Sequence, residues 1–452
     1  MNTPSTSTAP PTDAISLRRA LGTPSLVLLG LVYMVPLTIF TTYGIVTEIT
    51  GGRLPVAYAV TLAAMLFTAR SYGRMARAFP VAGSAYAYSR QAFGGPVGFL
   101  TGWTLMLDYL LLPMINYLVI GIYLNAAFPA VPGWVFALAS IALVTALNLF
   151  GIVTVARTNY LIIGVQALFI VVFVVIACIA LGSPGAADPL DPIVGDGSAP
   201  GLFPVLSGAA ILCLSFLGFD AVSTFSEEAK DSRRVVPRAI MQTTIIAGVL
   251  FIGLAYLSYL VYPHSTFSDV DSASVEVMQH AGGAFLTAFF TAAYVAGALG
   301  SALTSQAAVS RIIYAMGRDG VLPRRVFGWL SPRWKSPVAG IVVTSVVALL
   351  ALVLDLTTVS SLISFGALAA FSLVNLSVIK HYFIDQRERS GREVFGNLLV
   401  PGAGFLITVW LWTSLSPLAL VVGIGWCVLG VIWLAFVTRG FRAPTPQFEG
   451  LH

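Results

Sequence analysis

LVYMVPLTIFTTYG (Leu31 to Gly44) lies within an apolar run from about Ser25 to Ile49, long enough to cross a bilayer, with Pro36 near its middle. Proline lacks a backbone N–H and its ring collides with the carbonyl four residues earlier, so a continuous helix through Pro36 is disfavoured. Non-helical backbone at membrane depth is tolerated only where protein covers it or where it lines a water-filled cavity. The stretch therefore reads as one wall of a binding site inside the membrane.

The composition supports this setting. Of 452 residues, 57% are hydrophobic and 10% charged, against roughly 25% charged in soluble domains. The net charge of +5 could suggest a nucleic-acid partner, but the basic residues fall between apolar spans, so topology explains it and no nucleic acid is expected. Cys178, Cys213 and Cys427 are widely spaced inside apolar runs and form neither a disulfide framework nor a metal-ligand pattern. His264, His280, His381 and His452 lie outside the apolar cores, so no metal or haem site is expected within the membrane. No phosphate-binding loop of the G-x-x-x-x-G-K-[ST] kind occurs, which argues against pumping driven by ATP.

Apolar runs recur at about 25–48, 54–78, 97–124, 131–152, 159–182, 202–227, 237–262, 284–306, 337–354, 358–382, 397–415 and 417–438. About 20 residues at 1.5 Å each span the hydrocarbon core, so twelve transmembrane helices are expected. The segment 80–96 can add a short interfacial or re-entrant helix. Residues 1–20, rich in Pro, Ser and Thr, read as a disordered tail; the run after Arg18 and Arg19 is too long for a signal-peptide core and reads as a retained first span. With the N-terminus inside, 23 of the 24 Lys and Arg residues fall in inner loops, and only Arg53 lies outside. That bias puts both termini in the cytoplasm.

Helix 6 carries a second interruption, LSFLGFDAVSTFSEE, in which Gly218, Asp220 and the pair Ser223-Thr224 replace a clean apolar face. A lone glycine in a membrane helix is as readily a packing contact. Helix 6 follows helix 1 by five spans, however, and paired interruptions in corresponding positions of two halves point to the binding site of a secondary transporter.

The runs GFDAVSTFSEEAKDSRRVVPRAI after helix 6 and SRIIYAMGRDGVLP after helix 8 resemble signature stretches of the amino acid–polyamine–organocation superfamily. More narrowly, GLVYMVPLTIF, RAFPVAGSAYAYS, GWTLMLDYLLLPMIN and GFDAVSTFSEE are similar to the bacterial putrescine importer branch. The resemblance implies an all-α polytopic membrane protein with a five-plus-five inverted repeat (LeuT-like): helices 1–5 over 21–182, helices 6–10 over 202–382, helices 11 and 12 over 397–438, and a cytoplasmic tail at 439–452. It also implies a transporter, not an enzyme, of the cell (cytoplasmic) membrane, working by alternating access as a monomer or homodimer. No cofactor is called for beyond the proton-motive force.

Read from the residues alone, Asp108 in helix 3 and Asp220 in helix 6 are the clearly internal ionisable groups, with no Lys or Arg at their depth. A carboxylate at a helix centre costs about 2.5–3.5 kcal/mol on insertion scales, so it implies a partner or a water-filled cavity. The partner is a cationic substrate, a proton, or both. Asp108 can pair with a substrate ammonium, with Tyr109 supplying an aromatic face or a hydroxyl, or can stay protonated within the bundle. Asp220 is a candidate for proton coupling or cation binding, or caps freed N–H groups of the lower half-helix. The resemblance links the helix 3 tyrosine to substrate and an acid near Asp220 to coupling. It also places Gln166 where some permeases carry a proton-coupling lysine, which moves any proton to Asp220. Glu227 and Glu228 read as an inner-face ion-pair network with Lys230, Arg233 and Arg234. Tyr33, Phe216, Tyr294 and Phe365 lie on helices that surround the cavity in this fold, and each is either packing or a substrate contact.

Amino acid permeases of the superfamily carry Gly-Ser-Gly at the helix 1 break, where bare N–H groups hold a carboxylate. Here the run is Val35-Pro36-Leu37-Thr38, which serves a carboxylate poorly and favours an amine without one. Thr41 stands where the putrescine importers have an acid, leaving open a monoamine, a diamine of another length, or no change. The expected substrate-binding set is Asp108, Tyr109, Asp220, Phe216, Ser215, Gly218, Val35, Pro36, Thr38, Tyr33 and Phe365. The expected cargo is a small cationic amine, putrescine or a related di- or monoamine; the alternatives are an amino acid permease or an amine exchanger of the same superfamily.

Overall fold

The computed structural model describes residues 21–80, 84–150, 155–181, 188–226, 228–318, 322–331 and 336–445. The expected tail at 1–20, the end of the tail at 439–452 and Glu227 lie outside the described residues.

Ten helices are long and apolar enough to cross a membrane, and the shorter apolar helices Gly133–Leu149 and Val338–Leu352 supply the remaining two of the expected twelve among the described residues. In chain order, helix 1 is split into Thr23–Met34 and Tyr43–Thr50, helix 2 is Leu54–Ala78, helix 3 Gly95–Ala127, helix 4 Gly133–Leu149 and helix 5 Val155–Leu181. Helix 6 is split into Phe203–Leu212 and Ala221–Phe225, followed by helix 7 (Ser232–Val261), helix 8 (Ala273–Arg318), helix 9 (Val338–Ala348), helix 10 (Leu356–Val378), helix 11 (Val400–Thr413) and helix 12 (Pro417–Val437). The extra helix allowed for at 80–96 is Ser84–Phe93, lying against helix 3. Helix 8 starts earlier than its apolar run, because the polar turn from Ala273 is helical up to a kink at Gly282 and Gly283.

Helix 2 packs along helix 7, helix 3 along helix 8, and the upper half of helix 1 against the first half of helix 6. Each of these pairs joins a helix of the first five to the one five places later, as two halves related by a pseudo-two-fold axis require. Large apolar side chains left exposed on helices 5, 11 and 12, among them Val171, Ile179, Leu406, Val421 and Phe436, form the lipid-facing belt.

Polar locks set the register between helices. The Asn148 amide donates to Gln306 Oε1 (2.8 Å), Gln306 Nε2 donates to Ser345 Oγ (2.9 Å), and the Thr145 and Ser345 hydroxyls share a hydrogen bond (2.7 Å), joining helices 4, 8 and 9. Trp103 and Trp426 stack at 4.9 Å, and each indole N–H donates to the other's backbone carbonyl, which fastens helix 12 onto helix 3.

Gln306 is fully buried. Replacing it with alanine removes its hydrogen bonds to Asn148 and Ser345, each worth about 0.5–1.5 kcal/mol, and leaves a void between the three helices. Gln306→Ala is therefore expected to lower the thermal midpoint of the detergent-purified protein; an unchanged midpoint would show that the lock is not what holds these three helices in register.

Candidate functional site

At the first break the chain turns at Val35, whose φ of 50° is unusual for a branched side chain, and Pro36 opens a 3-10 turn, Pro36–Thr41. The break thus lies one residue before the proline. A residue preceding proline is excluded from helical geometry, whereas proline itself suits the first position of a new turn. The Thr38 hydroxyl donates to the carbonyls of Met34 (2.9 Å) and Val35 (2.6 Å), and Thr38 N donates to Val35 O (2.8 Å). Carbonyls freed by the break are thereby satisfied inside the protein.

At the second break a 3-10 turn, Cys213–Phe216, runs into extended Leu217 and then Gly218 at φ +126°. Asp220 Oδ1 accepts the Gly218 N–H at 3.2 Å, so the carboxylate caps the broken backbone. The two breaks touch: a methyl group on Gly218 would come within 2.9 Å of Met34 Cγ and Tyr33 Cδ1 and 3.1 Å of Met34 N.

Asp108 and Asp220 are both buried, at 6% and 8% exposure, and lie within each other's electrostatic reach. Tyr33, Tyr109 and Tyr72 share the field of Asp220, and Tyr33 and Tyr109 that of Asp108 as well. Helix 10 passes against Asp108 at Gly366, where a Cβ would sit 3.3 Å from Asp108 N. Among the described residues no Lys or Arg forms an ion pair with either aspartate.

The cavity borders Tyr33. One compartment, ≈ 60 Å³, is bounded by Val35, Thr38, Thr41, Asn116, Tyr294 and Ser301 among others; a second, ≈ 110 Å³, extends between helices 1, 5 and 8 to Thr304 and Ala308. Tyr33, Val35, Leu112, Gln166 and Ser301 line both. No carboxylate lines either compartment among the described residues. Tyr33, 41% exposed, lines both compartments and also shares the field of Asp108 and Asp220, so it links the cavity to the aspartates.

The fold thus brings Tyr33, Val35 and Thr38 of the expected set to the cavity wall, and Asp108, Tyr109, Asp220 and Gly218 together next to it. Pro36 is half-buried and absent from the wall. Ser215 is hydrogen-bonded to Tyr58 (3.0 Å), Phe216 packs edge-on against Phe251 (5.5 Å), and Phe365 lies against Trp412 (4.7 Å) with Gly423 beside it. Those three are buried in packing on helix faces turned away from the cavity, which the sequence period cannot resolve. Glu228 gives its carbonyl to Leu21 N, and Arg234 pairs with Asp231 (3.7 Å). Asn116 and Ser301, joined at 3.1 Å, are cavity residues that sequence reasoning missed; an amide inside an apolar run was the available signal.

Toward the face opposite the basic loops, the cavity is closed by Phe40, Phe169, Phe173 and Phe290, with rings 5.3–6.4 Å from that of Phe40. Thr41 hydrogen-bonds Tyr294, while Tyr123 and Ser274 donate to Phe40 O at 2.5 and 2.9 Å. Toward the basic face, Leu21 pairs with Ala229 in a two-stranded bridge (Leu21 N to Glu228 O and Lys230 N to Leu21 O, each 3.0 Å), tying the start of helix 1 to the end of helix 6.

Beyond the aromatic plug, burial and then the neighbouring Asp269 and Asp355 push the Asp271 carboxyl above its ordinary range. A carboxyl raised in the folded state weakens folding at pH above that raised value, and the penalty is relieved as pH falls through it. Asp271→Asn is expected to raise the thermal midpoint at about pH 8, with the gain shrinking toward about pH 5; a gain that does not depend on pH would contradict this. Gly218→Ala is expected to destabilise the protein by more than about 1 kcal/mol, read as a lowered thermal midpoint, because neither its φ nor its contacts admit a Cβ.

The family described as Amino acid permease matches residues 21–448. The low-affinity putrescine importer PlaP of Escherichia coli is 41% identical over 445 residues, covering 97% of this chain and 98% of the relative. The branched-chain amino acid permease BcaP of Bacillus subtilis is 28% identical over 441 residues, 92% of each chain. Among solved structures, MhsT in complex with L-phenylalanine superposes with a TM-score of 0.59 at 15% identity, covering 88% of this chain and 99% of that one, a likeness of fold.

Proposed function

The chain belongs to the amino acid permease family, and from that premise we propose that it imports a small cationic amine, putrescine or a related di- or monoamine, by alternating access coupled to protons. The family is one of transporters, not enzymes, and the chain is a multi-pass membrane protein. The observation that carries the cargo is the pair of buried carboxylates, Asp108 and Asp220, set among tyrosines and without a basic partner among the described residues. An ammonium is the complement such a site lacks, since a buried charge is stable only when paired or hydrogen-bonded. Tyr33 and Tyr109 offer aromatic faces on which a cation is attracted to the ring. Putrescine is the cargo named for the Escherichia coli relative, which supports the same choice.

Asp220 is the residue to which we assign proton coupling. Its carboxylate holds the broken backbone through Gly218 N and shares the field of Asp108, so a change of protonation acts on both the helix 6 break and the neighbouring acid. The amino acid alternative has less support from the backbone: Pro36 brings no N–H and Thr38 N is spent on Val35 O, which leaves little for a substrate carboxylate at the helix 1 break. The basic loops favour a chain with both termini in the cytoplasm of the cell, inserted in its cytoplasmic membrane. In that orientation the aromatic plug closes the outer side and the Thr304 compartment leads inward.

Asp108→Asn is expected to abolish uptake of radiolabelled putrescine in cells that carry the variant at normal abundance in the membrane, and undiminished uptake would sink the ammonium pairing. In a thermal-shift series on the purified protein, amines are expected to stabilise and neutral amino acids to leave the midpoint unmoved. The reverse pattern would replace the amine with an amino acid.

A further inference from the structure

Gln166 of helix 5 has no part in the reading above, yet it lines both compartments of the cavity. Only 2% of its surface is exposed, and it makes no hydrogen bond to any described residue. Its position is tightly set. A Cβ on Gly297 of helix 8 would come within 1.8 Å of Gln166 Nε2 and 3.0 Å of its Cδ, but 3.8 Å from Oε1. The amide nitrogen therefore abuts the bare backbone of helix 8, and the oxygen is the atom held away from it. Several other polar groups of the cavity are engaged: Asn116 Nδ2 donates to Leu112 O (2.8 Å) and to Ser301 (3.1 Å), Thr38 donates to carbonyls of the break, and Thr41 pairs with Tyr294.

An amide on a cavity wall with no hydrogen-bond partner among the described residues has its capacity open to the cargo. With no carboxylate on the cavity wall, whatever part of the cargo lies beside Gln166 meets a neutral acceptor. Tyr33, on the same wall, shares the field of Asp108 and Asp220.

We propose that Gln166 reads the far end of the cargo: with one ammonium directed past Tyr33 toward Asp108 and Asp220, the Gln166 amide accepts a hydrogen bond from an amino or hydroxyl group at the other terminus. The cargo class is thus a short aliphatic amine bearing a hydrogen-bond donor on its distal carbon, a diamine or an amino alcohol, in preference to a plain alkylamine. This rests on the amine reading of the site. A site built to hydrogen-bond a terminal group rejects the analogue that lacks it, because its own polar atom is then left unpaired.

The test compares putrescine with n-pentylamine, in which a methyl group replaces one amino group at the same chain length, as competitors of radiolabelled putrescine uptake. In the unaltered protein, putrescine is expected to compete about tenfold better than n-pentylamine, the effect of one hydrogen bond to a charged donor. In Gln166→Leu, similar in size without polar atoms, that preference is expected to vanish, through a raised KM for putrescine and an inhibition by n-pentylamine that is retained or strengthened. In Gln166→Glu the preference is expected to widen, since the distal ammonium gains a counter-charge. Equal loss of both competitors in Gln166→Leu, or an unaltered preference in both variants, would overturn the role of Gln166. If neither amine competes in the unaltered protein, the amine reading itself falls and takes this one with it, a result distinguishable because it precedes any substitution.

Discussion

Every backbone N–H and C=O at bilayer depth must find a partner within the protein, and the two broken helices depend on this constraint. Helix 1 meets it with a threonine: Thr38 takes up carbonyls that Val35 and Pro36 leave open. Helix 6 meets it with an acid, as Asp220 accepts the Gly218 N–H. The breaks can then lie against each other, because Gly218 has no side chain where Tyr33 and Met34 pass. Had either break been capped by solvent alone, the interior could not have closed around it.

From this contact follows an unequal division of polarity. Charge is collected at Asp108 and Asp220, whose field reaches Tyr33, whereas the cavity wall that Tyr33 shares is polar but neutral among the described residues, with Thr38, Asn116, Gln166 and Ser301. Two buried carboxylates repel one another, and among the described residues no Lys or Arg forms an ion pair with either. The neutral side can sort a cargo by hydrogen bonding with no cost of further buried charge.

The same elements govern which way the cavity opens. Phe40 sits three residues after Leu37 in the 3-10 turn, so its carbonyl, held by Tyr123 and Ser274, and its ring, held by Phe169, Phe173 and Phe290, join the helix 1 break to the aromatic plug. The opposite end of helix 1 is tied at Leu21 to Ala229, just after the helix 6 break.

The sequence by itself determined the membrane setting, the twelve spans, the interrupted helices and the two unpaired aspartates. Each of these is a local property: apolar length, a proline or glycine within it, or a charge without a neighbour of opposite sign. It placed Ser215, Phe216 and Phe365 among the substrate contacts because they lie close in sequence to the breaks or on the right helices. Only the tertiary structure decided that their side chains turn into packing against Tyr58, Phe251 and Trp412. Likewise, Gln166 was legible as a residue that cannot titrate, but its place in the cavity depends on Gly297, more than a hundred residues away, letting helix 8 approach. Helical period assigns a residue to a face, and only the rotation of each helix about its axis against its neighbours decides what that face meets.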